Sequence, residues 1–165
     1  MKFEDLNCIN DNINLEDYLY LYKYVRNNMK HPEWLGTFSK SEIIDILAKG
    51  GKIWIYYDEN NIVCSMFYIP ATNKSLIKHN IKNDESITGS IGPMMVSPDY
   101  IGKGFQNQMM KVIEMYCKSI NKKYIFTKLA AENIYCLNNL LKNDYIIVDK
   151  YDNERGLNFA LLKQI

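Results

Sequence analysis

The sequence predicts a single α/β domain, a mixed central sheet of about six or seven strands flanked by about four helices. Three observations lead there. From residue 87 to the C-terminus, strand, helix, strand, helix and strand patterns follow one another, the order of right-handed parallel crossovers. Two segments read as hairpins, one at each side of the chain. Finally, the 165 residues contain no internal repeat and no Gly/Ser/Pro linker, which predicts one domain over 1–165.

The N-terminal Met1–Ile9 stretch reads as an edge strand. Leu15, Leu19, Tyr22 and Val25 or Arg26 recur at helical spacing, with Asn14 placed to cap and Pro32 to stop the helix. Ser39 or Ser41 caps a second helix through Ile43, Ile44 and Leu47, and Gly50-Gly51 ends it. KIWIYYD and IVCSMFYI form the first hairpin around Asp58–Asn61. Residues 70–85 are polar and read as loop with a helical turn. Ile87–Val96 is a strand interrupted by Gly89, Gly92 and Pro93, which signals a bulge or a close backbone approach. Phe105, Met109, Val112, Ile113, Tyr116 and Ile120 mark one face of a long helix, and KKYIFTKLA is the next strand. Ile134, Leu137 and Leu141 mark the core stripe of a further helix, before YIIVDKY and LNFALLK close as the second hairpin.

Charge and composition narrow the class. A net charge of +1, with 47% hydrophobic and 24% charged residues, matches an ordinary soluble protein and carries no basic footprint for nucleic acid. No run reaches the length of a membrane span, and MKFEDLNCIN lacks the apolar core of a signal peptide. Cys8, Cys64, Cys117 and Cys136 form no C-x-x-C pair and read as reduced, buried thiols, so the expected location is cytoplasmic. His31 and His79 read as surface residues, and no metal site is expected.

The segment VSPDYIGKGFQNQMM joins a strand, a Pro turn, a Gly-x-Gly loop and a helix. That order leaves backbone N–H groups free at the positive end of a helix dipole, where phosphate oxygens bind. The dinucleotide pattern G-x-G-x-x-G fails, because Asn107 holds its last position, and the Walker pattern is absent.

The run instead resembles the acetyl-CoA loop of the GNAT acetyltransferases, Q/R-x-x-G-x-G/A entered from a strand ending V-x-P. Aligned here it covers Ile101, Gly102, Lys103, Gly104, Phe105 and Gln106. Gly102 and Gly104 match the loop. Ile101 replaces the Arg or Gln, and Gln106 replaces the final small residue, as in a bacterial subgroup whose loop reads Gly-Lys-Gly-Φ-Gln. Downstream, AENIYCLNNLLKNDYIIV resembles the family's second CoA-contacting helix. Asn133 matches the pantetheine-contacting Asn, Cys136 the small position, Tyr145 the final aromatic, and Asp144 replaces a Gly. Leu140 sits where many members carry a Tyr.

The resemblance implies the acyl-CoA N-acyltransferase fold and transfer of acetyl from acetyl-CoA, as co-substrate, to a primary amine of a small molecule or peptide. It implies a cofactor site of Met94, Met95, Val96, Ile101, Gly102, Lys103, Gly104, Phe105, Gln106, Asn107, Asn133, Cys136 and Leu140, with the thioester oxygen held by a main-chain N–H near Met95 or Val96. Its usual strand Glu is missing from Ile87–Val96, so Glu85, just before it, is the candidate base. The acceptor is expected opposite CoA, near Glu33, Trp34 and Tyr68 and the Asn153–Arg155 turn, in a monomer or homodimer. With no strand carboxylate and no Tyr at 140, a non-catalytic CoA-binding sensor or assembly module is the alternative.

Overall fold

The computed structural model describes residues 6–9, as backbone, and 15–165. The expected Asn14 cap, residues 1–5 of the expected first strand and the Cys8 thiol lie outside what is described. Along the chain run β1 (Leu6–Ile9), α1 (Leu15–Asn28), α2 (Lys40–Ala48), β2 (Lys52–Asp58), β3 (Asn61–Pro70) and α3 (Asn73–Lys78). There follow β4 (Thr88–Val96), α4 (Phe105–Ser119), β5 (Tyr124–Ala130), α5 (Ile134–Lys142), β6 (Ile146–Asn153) and β7 (Gly156–Gln164).

Local chemistry sets the helix ends. Ser39 caps α2 in a reciprocal box with Glu42. At their C-termini four helices share one device, a residue in the left-handed conformation followed by an amide bonding back into the last turn. Gly50, Asn80, Asn121 and Asp144 take that conformation. The returning bonds are Gly51 to Ile46, Ile81 to Leu76, Lys122 to Cys117 and Tyr145 to Leu140. Asp144 thus does the work of a glycine.

The strands form one seven-stranded sheet in the order β1-β2-β3-β4-β5-β7-β6. Among the described strands only β4 and β5 pair in parallel. The crossover through α4 is therefore direct, while the one through α5 carries β6 past the place that β7 fills, antiparallel to both neighbours.

Alternation along the strands sends side chains to two faces. Trp54, Met66 and Ile125 meet Met109, Ile113 and Leu140 of α4 and α5 in one continuous cluster. On the other face Ile53, Ile55, Phe67 and Met95 pack with α1 and α2. Phe126 and Ala160 form a separate third cluster with Leu76 of α3. The gap between the second and third clusters positions the site.

Three sequence expectations need correction. The buried stripe of α1 is Leu15, Tyr18, Leu21 and Val25, one step round from the expected line, because Tyr18 packs edge-on against Phe67. In α5, Leu140 is buried while Ile134 and Leu141 are exposed, since the helix lies with its 136-137-140 side on α4 and the sheet. His79 is fully buried rather than on the surface, bonded through Nδ1 to Asp149 at 2.9 Å and stacked near Tyr151 and Phe126.

Gly89 sits in the short β4–β5 ladder, where an added Cβ would lie 2.8 Å from the Tyr68 ring and 3.0 Å from the Cys117 sulfur. Both neighbours are buried, so Gly89→Ala overpacks the core and is expected to cost ~1–3 kcal/mol. Urea denaturation reads this as a lowered midpoint; an unchanged midpoint contradicts the packing.

Candidate functional site

The site begins where two strands part. β4 and β5 are in register only from Thr88–Tyr124 to Ser90–Phe126. Beyond that β4 follows β3 and β5 follows β7. A bulge marks the divergence: Met66 pairs with Met94 and Tyr68 with Ile91, so β4 uses Gly92 and Pro93 where β3 uses Phe67 alone. Proline has no N–H to offer a ladder, and a bulge is where a strand tolerates it. The extra residue also shifts the facing, so that Ile91 and Met94 both belong to the α4 side and Met95 to the opposite one.

Main-chain groups are thereby left open. The Ser97 N–H bonds to the Val63 carbonyl, so by antiparallel alternation Met95 also faces β3, and the amides of Met94 and Val96 face the split. Across it, Ala131 bonds to the Leu157 carbonyl, and the same alternation turns the main chain of Lys128 toward β4. An extended amide-rich ligand fits such an edge as an added strand does.

The glycine loop follows β4 after the short turn Pro98–Tyr100. Gly102 and Gly104 have φ of +83° and +77°, a region that disfavours side chains, and nothing lies within 4 Å of where a Cβ would be. Gly104 is the N-cap of α4, and the first helical bond is from Gln108 to the Gly104 carbonyl. The amides from Gly102 to Asn107 have no hydrogen-bond partner among the described residues. A helix dipole alone favours an anion by about 0.3–1 kcal/mol. Hydrogen bonds to a charged group are worth roughly 1.5–3 kcal/mol each, so the open amides dominate. Phe105 anchors the loop against Tyr56 and Tyr100.

A polar ladder locks α5 to the start of α4. Gln106 donates to Cys136 Sγ at 3.2 Å and accepts from Asn139 at 2.6 Å, while Asn143 donates to Asn107 at 3.1 Å. The Gln at the small-residue position therefore points sideways onto α5. Burial raises the Cys136 pKa, opposed by the Gln106 bond, so the group stays a thiol. Asn133 caps α5 by accepting from the Cys136 amide, which leaves its Nδ2 donors without a partner among the described residues.

One cavity of about 490 Å³ runs through the split. Gln106, Met110, Asn133, Cys136 and Leu140 wall it on the α4–α5 side. Opposite, it opens between the second and third core clusters, walled by residues 33–38, 69–72 and the β6–β7 hairpin. Trp34 stacks on His31 with centroids 4.3 Å apart. The Glu33 carboxylate accepts from or pairs with His31 Nδ1 at 3.1 Å. Its pKa is held below the usual range, first by its own backbone N–H and then by His31.

The cavity thus brings together Met94, Gln106, Asn133, Cys136, Leu140, Glu33 and Trp34, with Ile101–Gly104 on the adjoining loop and Phe105 and Asn107 in the first turn of α4. Four expected residues place their side chains elsewhere, Val96 by packing on the α4-side cluster while its main chain faces the split. Met95 points into the α1–α2 cluster. Tyr68 is buried on the α4 face against Tyr116, because alternation along β3 turns Phe67 and Ile69, not Tyr68, toward the α1–α2 face. The Glu85 carboxylate accepts the Asn73 amide at 2.5 Å, which ties it to the start of α3 outside the cavity lining. Sequence reasoning missed Lys128, whose side chain shares the face of Phe126 and Ala160 and lines the cavity. A lone lysine within the apolar run YIFTKLA was the available signal.

No protein-family model matches the sequence, and the search of curated proteins finds no match. Solved structures do match. A chain of the NatC complex, solved bound to Gag peptide and CoA, superposes with a TM-score of 0.71 over 98% of this chain and 99% of its own, at 15% identity. YncA from Salmonella typhimurium, a putative acetyltransferase solved with acetyl-CoA, gives 0.71 over 96% and 92%, at 9% identity. Spermidine N-acetyltransferase from Vibrio cholerae, in complex with CoA and spermine, gives 0.68 over 98% and 96%, at 14% identity. Together with the sheet order, these likenesses show that the chain has the GNAT acyl-CoA N-acyltransferase fold.

Proposed function

We propose that the chain is an acetyl-CoA-dependent N-acetyltransferase acting on a primary amine of a small molecule or peptide by direct attack on the thioester. One observation carries the reading: the unpartnered amides of Gly102–Asn107 adjoin a strand split whose own main-chain groups are open. The loop amides take the CoA pyrophosphate. Asn133 and the open amides of β4 take the pantetheine amides, and the Met94 or Val96 N–H receives the thioester oxygen as negative charge develops there. The acceptor enters from the Trp34 side, the wall opposite α4 and α5. That three of the matching solved structures hold CoA or acetyl-CoA supports the donor.

Among the described residues the only carboxylate lining the cavity is Glu33, already paired with His31. The acceptor ammonium therefore loses its proton to water in the open lobe before attack, and the departing thiolate takes one from solvent. The same observation, with Leu140 buried where a phenol would donate, favours a second reading of the chain as a CoA-binding sensor or assembly module without turnover. Thiol release from acetyl-CoA across a panel of amines separates the two. Steady release with any amine refutes the sensor, and CoA binding without release refutes the transferase.

Two further outcomes follow from this arrangement. With no carboxylate base at the split, kcat/KM is expected to climb with pH through about 6 to 9, tracking the free-amine fraction of an acceptor whose pKa is roughly 8–10. A pH–rate profile that levels off near neutrality contradicts this. Gly104→Asp places a carboxylate and a strained φ in the loop, so the Kd for CoA, read by calorimetry, is expected to rise at least about tenfold. Unchanged affinity in a folded variant removes the loop as the phosphate site.

A further inference from the structure

The charges of the acceptor lobe are unbalanced. Three charged side chains line the cavity among the described residues: Glu33, Lys128 and Arg155. Glu33 is engaged by His31, and its side chain is 47% exposed at the rim. Lys128 stands on β5 at the split, with Phe126 on the same face two residues before it, and makes no ion pair among the described residues. Its side chain reaches solvent, yet enough protein surrounds the ammonium that desolvation, and then Lys78, lower its pKa. An anion placed there offsets both effects.

Arg155 extends from the β6–β7 turn and donates to Thr37 Oγ1 at 2.9 Å, tying two walls of the lobe together. The carboxylate nearest to it, Glu154, is 3.9 Å away and 85% exposed, too weak a partner to neutralise it. Asp149 on β6 is taken up by His79. A polycation entering this lobe meets two like charges and one engaged carboxylate. Size points the same way as charge. Cavities of about 300–1,000 Å³ accommodate a single drug-sized ligand. Here about 490 Å³ serves both the pantetheine end and the acceptor.

Resting on the transferase reading above, we infer that the acceptor is a small amino-acid-like molecule, a primary amine that carries its own carboxylate, with Lys128 and Arg155 receiving the carboxylate while the amine faces the split. Lys128 and Arg155 are specificity residues in this assignment. The amine nitrogen forms the new bond to the acetyl carbon, the carbon–sulfur bond breaks, and neither cation takes part in proton transfer.

The test measures thiol release by the full chain with acetyl-CoA and the proteinogenic amino acids, each beside its α-carboxamide, with spermidine as the cationic control. Compared per free amine, because the carboxamide lowers the pKa of its own amine, at least one amino acid is expected to exceed its carboxamide in kcat/KM by about tenfold or more, the scale of a lost charge-assisted hydrogen bond. Lys128→Gln and Arg155→Gln are each expected to narrow that acid-to-amide ratio through KM, and Lys128→Glu to invert it. Both positions are exposed, so the variants keep the core intact. Carboxamides or spermidine preferred over acids, or a ratio unmoved by either substitution, overturns the acceptor assignment and leaves the transferase standing. Absence of release with every amine, while calorimetry shows CoA bound, overturns the transferase reading and this assignment with it.

Discussion

The parallel ladder between β4 and β5 stops after the Ser90–Phe126 pair, and the rest of the molecule is arranged around that stop. Each strand keeps its outer partner, so the sheet stays one sheet while its centre opens. The Gly92–Pro93 bulge keeps β4 on β3 through the divergence and resets which side chains face α4. An unmatched buried main-chain group costs roughly 1–3 kcal/mol. Water in a through-going cavity removes most of that cost, and an extended ligand bearing amides replaces the water at little penalty. Clustering of the core follows from the same opening: continuous on the α4–α5 face, divided in two on the face of α1, α2 and α3.

At the glycine loop, where we propose the phosphates bind, geometry matters more than charge. Lys103 leans over the Tyr100 ring at 4.6 Å, and the loop is otherwise uncharged from Ile101 to Asn107. Its capacity for an anion lies in amides that two left-handed glycines leave outward and unpaired. Those amides must hold still relative to the split to be useful. The Gln106–Asn139 and Asn107–Asn143 bonds supply that stiffness by fastening α5 to the first turn of α4. The ion pair between Lys163 and Glu114 fastens the same helix to β7 from further along, at 2.5 Å.

Much of this was legible locally. The hairpins, the bulge at Gly92-Pro93, the ends of α2 and α5, and the outward-facing glycine loop all depend on residues close in sequence, where turn chemistry decides the outcome. Relations between distant elements were not legible. Phe67 and Tyr68 are adjacent bulky aromatics, and only the packing partners, Tyr18 on one side and Tyr116 on the other, decide which one turns to the α4 face. Glu85 stands as the candidate base in the sequence because its partner Asn73 lies twelve residues back, across a helical turn. His79 reads as polar surface until Asp149, seventy residues on, supplies a buried partner. The family resemblance implies an open edge over Phe126–Leu129, but nothing in the sequence gives the Lys128 side chain a role there. Its meaning comes from the neighbour that β5 lacks at that point, and a strand pattern does not record where pairing stops.

We propose that the split between β4 and β5 and the loop after β4 form one continuous CoA site. A crystal structure of the protein with CoA bound is the decisive experiment. Pyrophosphate oxygens are expected on the amides between Gly102 and Asn107, and a pantetheine arm between Met94–Val96 and Lys128 with its sulfur in the split. A nucleotide bound elsewhere on the surface, or a pantetheine that leaves the split filled with water, would contradict it.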